Sequence, residues 1–152
     1  MYKSFLLLLL VVCAATVQAQ NPNPKFKQAL ADSLGADEYG MKMYSLVILK
    51  TGTNTTTDKA VLDSLFRGHM TNMGRMESMG KLIVAGPIGK NDKAYRGIFI
   101  LNAKTPEEAK VLLDTDPAIK AKVLEADIFP WYGSAALPLY MKHNDEVKKK
   151  DF

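Results

Sequence analysis

The chain is poor in the residues that usually carry chemistry. Its 152 residues include one cysteine, Cys13, one tryptophan, Trp131, and two histidines, His69 and His143. One cysteine permits no intramolecular disulfide and no cysteine-based metal cluster. No zinc-ligand spacing, phosphate-binding glycine loop, G-x-S-x-G elbow or dinucleotide fingerprint occurs, so neither a cofactor nor a metal is expected. The formal net charge is only +4. Much of the excess lies in the run Lys148-Lys149-Lys150, which reads as solvated. A mild, terminal basicity argues against a nucleic-acid surface, which needs a clustered basic face.

The long apolar run that is present is a leader. Met1-Tyr2-Lys3 carries one positive charge, Phe5 to Val12 is unbroken and apolar, and Val17-Gln18-Ala19 offers a cleavage site. These features predict a secretory signal peptide over 1–19 and an exported (periplasmic or secreted) protein. The run is too short for a membrane span, which needs roughly 20 apolar residues. Val12, where a lipoprotein signal has a small residue, argues against acylation of Cys13. Cleavage after Ala19 removes Cys13 and leaves residues 20–152, enough for one domain with a real core.

Hydrophobic periodicity then gives an order of elements. An N-terminal extension over 20–41 holds a short helix, Phe26 to Leu34, stopped by Gly35. The first strand is Met43 to Lys50, and the main helix runs from Asp58 to Gly80. On a helical wheel Leu62, Leu65, Phe66, His69, Met73 and Met76 share one stripe, with Asp63, Ser64, Arg67, Thr71, Arg75 and Ser78 opposite. Strands follow at Lys81 to Ala85 and Gly97 to Ala103. Thr105-Pro106-Glu107-Glu108 starts a helix with a threonine N-cap and proline in the first turn. Asp116-Pro117 ends it, a helical turn covers Ala118 to Val123, and the last strand is Leu124 to Phe129. The main domain is placed at 42–132 and a C-terminal tail at 133–152. Strand, helix, strand, strand, helix, strand is the split βαβ, ferredoxin-like (βαββαβ) α+β order: an antiparallel sheet with its helices on one face. The other face is apolar, which points to a homodimer formed through it.

His69 is the residue that proposes a reaction. An imidazole on a core-facing stripe is either a general acid or base, since it titrates near neutral pH, or a packed core histidine with a backbone partner. Asp116 is either its carboxylate partner or the N-cap of the turn that Pro117 opens; one carboxylate has lone pairs enough for both. Gly86-Pro87 reads as a turn first and a cleft wall second. Gly68, directly before His69, reads either as a point where another element approaches the helix closely or as loose packing. Met70, Met73, Met76 and Met79 drift around the helix and read as packing residues rather than metal ligands. Trp131 and Tyr132 can line a pocket or close a dimer edge, the edge being the preferred reading.

Taken together these pieces resemble a known pattern. A helix with Arg67-x-His69, Gly80-Lys81-Leu82 leading into Ala85-Gly86-Pro87, a strand from Gly97, Glu107-Glu108-Ala109, Asp116-Pro117 and Pro130-Trp131 look like the YCII-related family. The match runs from Tyr44 to Tyr132. The family is similar to the dimeric α+β barrel superfamily, so the resemblance implies a homodimer joined sheet to sheet, with a cleft in each subunit. It implies His69 and Asp116 as catalytic residues, with Arg67, Gly86, Pro87 and Trp131 around a substrate. One branch of that family eliminates chloride from chlorinated hydroxyhydroquinones, and muconolactone isomerases share the wider fold. The expectation is thus lyase- or isomerase-type acid–base chemistry on a small oxygenated molecule. A non-catalytic small-molecule binding or accessory dimer module is the alternative. The leader, the N-terminal extension and the tail depart from the family pattern, and fold alone does not fix the substrate.

Overall fold

A computed structural model describes residues 23–150; the leader expected over 1–19 lies outside them. Helix α1 (Gln28–Leu34) ends at Gly35, which adopts the left-handed conformation. Strand β1 (Met41–Thr51) is followed by the 20-residue helix α2 (Lys59–Ser78). Strands β2 (Leu82–Pro87) and β3 (Tyr95–Leu101) come next. Helices α3 (Pro106–Leu113) and α4 (Pro117–Lys120) lead into β4 (Leu124–Ser134). A 3₁₀ segment (Leu137–His143) and helix α5 (Asn144–Val147) close the chain. The sheet order is β2-β3-β1-β4 with every pairing antiparallel, which is the ferredoxin-like α+β arrangement expected.

The helix starts follow from their caps. The Asp58 carboxylate accepts from the Ala60 and Val61 N–H groups at 2.9 and 3.2 Å, and Thr105 Oγ1 accepts from Glu108 N at 3.3 Å. Val47 and Leu49 of β1, Phe99 and Leu101 of β3, and Leu124 of β4 pack against Met76 of α2 and Ala109 and Leu113 of α3. The intervening residues Leu46, Ile48, Ile98 and Ile100 pair with one another across β1 and β3 and occupy the face away from this core. Phe129, paired with Leu46, shares that face and is 47% exposed.

Two strands take in prolines that were expected to lie beyond their ends. Strand β2 continues through Gly86 and Pro87, which pair with Ile98 and Gly97 rather than turning. Strand β4 runs past Phe129 through Pro130 and Trp131 to Ser134. Both are edge strands, where a missing N–H does not break a ladder on each side. The longer β4 also ties down the N-terminal extension. The Tyr132 hydroxyl donates a short hydrogen bond to Asp37, which pushes the phenol up to about 12.

Candidate active site

The site begins with a close approach. A Cβ on Gly68 would lie 2.6 Å from Cγ of Pro117, so only a glycine at this point of α2 lets the start of α4 pack directly against it. The residue after Gly68 is His69, and the residue before Pro117 is Asp116. The approach therefore delivers the carboxylate to the imidazole: His69 Nδ1 stands 2.7 Å from Asp116 Oδ2. Both are buried, His69 at 8% and Asp116 at 0% exposure.

Asp116 divides its two oxygens. Oδ1 accepts from the N–H groups of Ala118 and Ile119 at 2.9 and 3.3 Å, capping α4. Oδ2 takes the His69 ring and, at 3.5 Å, the Asn72 amide. Burial pushes the carboxyl up. The His69 hydrogen bond, the His69 charge and the two backbone N–H bonds outweigh it, and the net pKa lies below the ordinary 3.8. The group is an acceptor only, so the proton of the shared hydrogen bond sits on Nδ1 of His69. With Nδ1 carrying that proton, the lone pair of an uncharged ring can lie only on Nε2.

Behind the pair stands a polar bracket. Arg75 Nη2 donates to Asn72 Oδ1 and to Thr115 Oγ1 at 2.9 and 2.8 Å, joining α2 to the end of α3 next to Asp116. The ring itself is clamped by aromatics. Phe99 stacks at 6.0 Å between centroids with a 20° interplanar angle, and Phe66 meets it edge-on at 6.3 Å and 85°. Among the described residues no buried side-chain nitrogen or oxygen lacks a partner, and Nε2 makes no hydrogen bond to them. Nε2 therefore reaches solvent.

It does so in a cavity of about 580 Å³ between α2, the β2–β3 end of the sheet and the C-terminal segment. His69, Phe66, Met73, Leu49 and Phe99 line its inner part, with Gly86, Pro87 and Arg96 at the strand ends. Tyr140, Asn144 and Lys148 form the remaining wall. The Tyr140 hydroxyl donates a short hydrogen bond to the Ile83 carbonyl, and Asn144 Nδ2 donates to Glu77 Oε1 at 2.7 Å. The chain beyond 132 is thus partly a wall of the cavity rather than only a solvated tail.

Of the residues singled out from the sequence, the structure gathers His69, Asp116, Gly86 and Pro87 at one place. Arg67 and Trp131 are not among them. Arg67 lines a neighbouring surface depression with Asp63 and Thr71, which shares Phe66 and Met70 with the cavity but does not include His69. Trp131 pairs with Tyr44, their rings 5.7 Å apart, whereas the adjacent Ser45 turns its hydroxyl to Ala103 on the helix side. Alternation puts Trp131 on the uncovered side of the sheet, away from His69. Asn72, Arg96 and Tyr140 were not foreseen. Asn72 had a readable signal, being a polar residue in register with Leu65, His69 and Met76.

No protein-family model matches the chain, and no curated protein matches it. Among solved structures it is similar to 5-chloro-2-hydroxyhydroquinone dehydrochlorinase from Burkholderia phenoliruptrix AC1100, in complex with 2,5-dihydroxybenzoquinone. The identity is 20% over 57% of this chain and 92% of that one, with a TM-score of 0.41.

Proposed function

We propose that this is an exported homodimer that carries out general acid–base chemistry, of the lyase or isomerase type, on a small oxygenated organic molecule. One observation carries the reading: Nδ1 of His69 is held 2.7 Å from a buried carboxylate while Nε2 faces a cavity of ligand size. In the proposed step Nε2 takes a proton from a carbon beside a carbonyl or ring oxygen, and Asp116 stabilises the imidazolium that results. Returning the proton to a second carbon completes an isomerisation. Expelling a leaving group with its electron pair from the adjacent carbon completes an elimination instead. Gly86 and Pro87 shape the strand-end wall. The homodimer reading is supported by the uncovered row Leu46, Ile48, Ile98, Ile100 and Phe129, which a second copy would bury. Export is supported by the leader pattern.

The test is deuterium incorporation from D₂O into a panel of unsaturated lactones and hydroxylated cyclic ketones, followed by NMR. The wild type is expected to label at least one compound, and His69→Gln, with unchanged circular dichroism, to label none. A wild type that binds such a compound yet never exchanges its protons overturns the catalytic reading and leaves the non-catalytic binding module. Sedimentation of the purified protein as a monomer at micromolar concentration would refute the dimer.

A further inference from the structure

The cavity has a cation that the rest of the fold does not use. Leu49 of β1 pairs with Gly97 of β3, but the next residue, Lys50, pairs with Tyr95, so Arg96 is the extra residue of a bulge. In an unbroken strand Arg96 would share the uncovered face with Ile98 and Ile100. The bulge breaks that alternation, and Arg96 lines the same cavity as His69 and Phe99. The other charged groups at the rim are engaged. Glu77 accepts from Asn144 at 2.7 Å, and Lys148 Nζ stands 2.6 Å from Asp145. The Arg96 guanidinium makes no hydrogen bond or ion pair among the described residues.

We propose that the cavity takes a small unsaturated or aromatic carboxylate, its ring against Phe66 and Phe99 and its carboxylate on the Arg96 guanidinium. The apolar inner wall suits a flat ring. A guanidinium fork at the rim matches the two oxygens of a carboxylate, and a single uncommitted cation suits one negative charge rather than a phosphate. The acid is thereby anchored at the mouth, and the ring's far substituents are turned toward His69 Nε2. This deepens the acid–base reading and rests on it for the location of the site.

Calorimetric titration of the whole protein with 4-hydroxybenzoate and 4-hydroxybenzamide, matched in shape and differing in charge, tests the assignment. His69 ring resonances report where each compound binds. The wild type is expected to prefer the benzoate by about tenfold or more, the size of a charge-assisted hydrogen-bonded pair. Arg96→Gln should abolish that preference by weakening the benzoate alone. Arg96→Lys should retain part of it, since a point charge lacks the fork. Equal affinities in the wild type, or an undiminished preference in Arg96→Gln, would overturn the carboxylate assignment and, with the His69 ring still responding, leave the acid–base reading in place. If neither compound moves the His69 ring, the cavity is no site for such ligands and the carboxylate assignment falls, while the acid–base reading stands or falls on the deuterium-exchange test.

Discussion

His69 and His143 each place Nδ1 2.7 Å from a carboxylate oxygen, yet the two pairs have little else in common. His143 and Glu146 sit three residues apart in the C-terminal segment, with side chains 56% and 67% exposed. His69 and Asp116 are 47 residues apart in sequence, and their side chains are 10% and 0% exposed. The exposed pair is an ordinary surface contact worth at most about 1 kcal/mol. The buried one has a carboxylate fixed by two backbone N–H groups, a ring fixed by two aromatics, and one ring nitrogen left open. The same distance thus describes two different objects. What separates them is the support behind the acid and the cavity in front of the base.

The largest effect that would sharpen this contrast is on stability. Asp116→Ala removes a helix cap and one half of a buried pair at once, and chemical denaturation should show a loss of about 3–5 kcal/mol. Glu146→Ala should stay within about 0.5 kcal/mol of wild type; a comparable loss there would erase the distinction. Next comes turnover. With any compound whose protons the protein exchanges, as the acid–base reading expects, His69→Gln should lower the rate by about 10²–10⁴-fold, the usual contribution of a positioned acid or base. His143→Gln should leave that rate unchanged. Third, Gly68→Ala forces a Cβ onto Pro117 and should cost about 1–3 kcal/mol while shifting the His69 ring resonances. Gly74→Ala in the same helix meets nothing within 4 Å and should instead raise the unfolding midpoint, by up to about 1 kcal/mol of stability. The smallest effect is with pH. Asp116 ionises below its ordinary 3.8 in the folded protein, so its contribution is fully present above that value. It is lost as pH falls below 3.8 through the lowered folded value. Acid unfolding curves of wild type and Asp116→Asn should differ in slope there.

The elements and their order were legible because each is written locally. Asp58 and Thr105 cap their helices from within the sequence motif, and the β-branched run in β1 has no helical reading. Gly68 carried a hint that the structure explains, since Pro117 occupies the space its side chain would need, whereas Gly74 in the same helix has no such neighbour. Strand ends were less legible. Proline normally stops a strand, as Pro87 does at the end of β2, and only knowing that β4 is an edge explains why Pro130 does not. Arg96 was out of reach for a related cause. Its placement depends on a bulge between strands some 45 residues apart, and no pattern within β3 encodes it. The role of Tyr140 is likewise tertiary, because its hydroxyl is fixed by a carbonyl 57 residues away.

The double engagement of Asp116 bears on how its history should be read. One oxygen serves the backbone of α4 and the other serves the imidazole, so folding by itself calls for a capping oxygen at this position, which asparagine or serine would also supply. A capping residue before Pro117 would persist whether or not the cavity holds a reaction. The acid is therefore a poor marker of activity among sequences of this kind. The histidine, which the cap does not require, is the position whose loss or retention bears on the proposed acid–base chemistry.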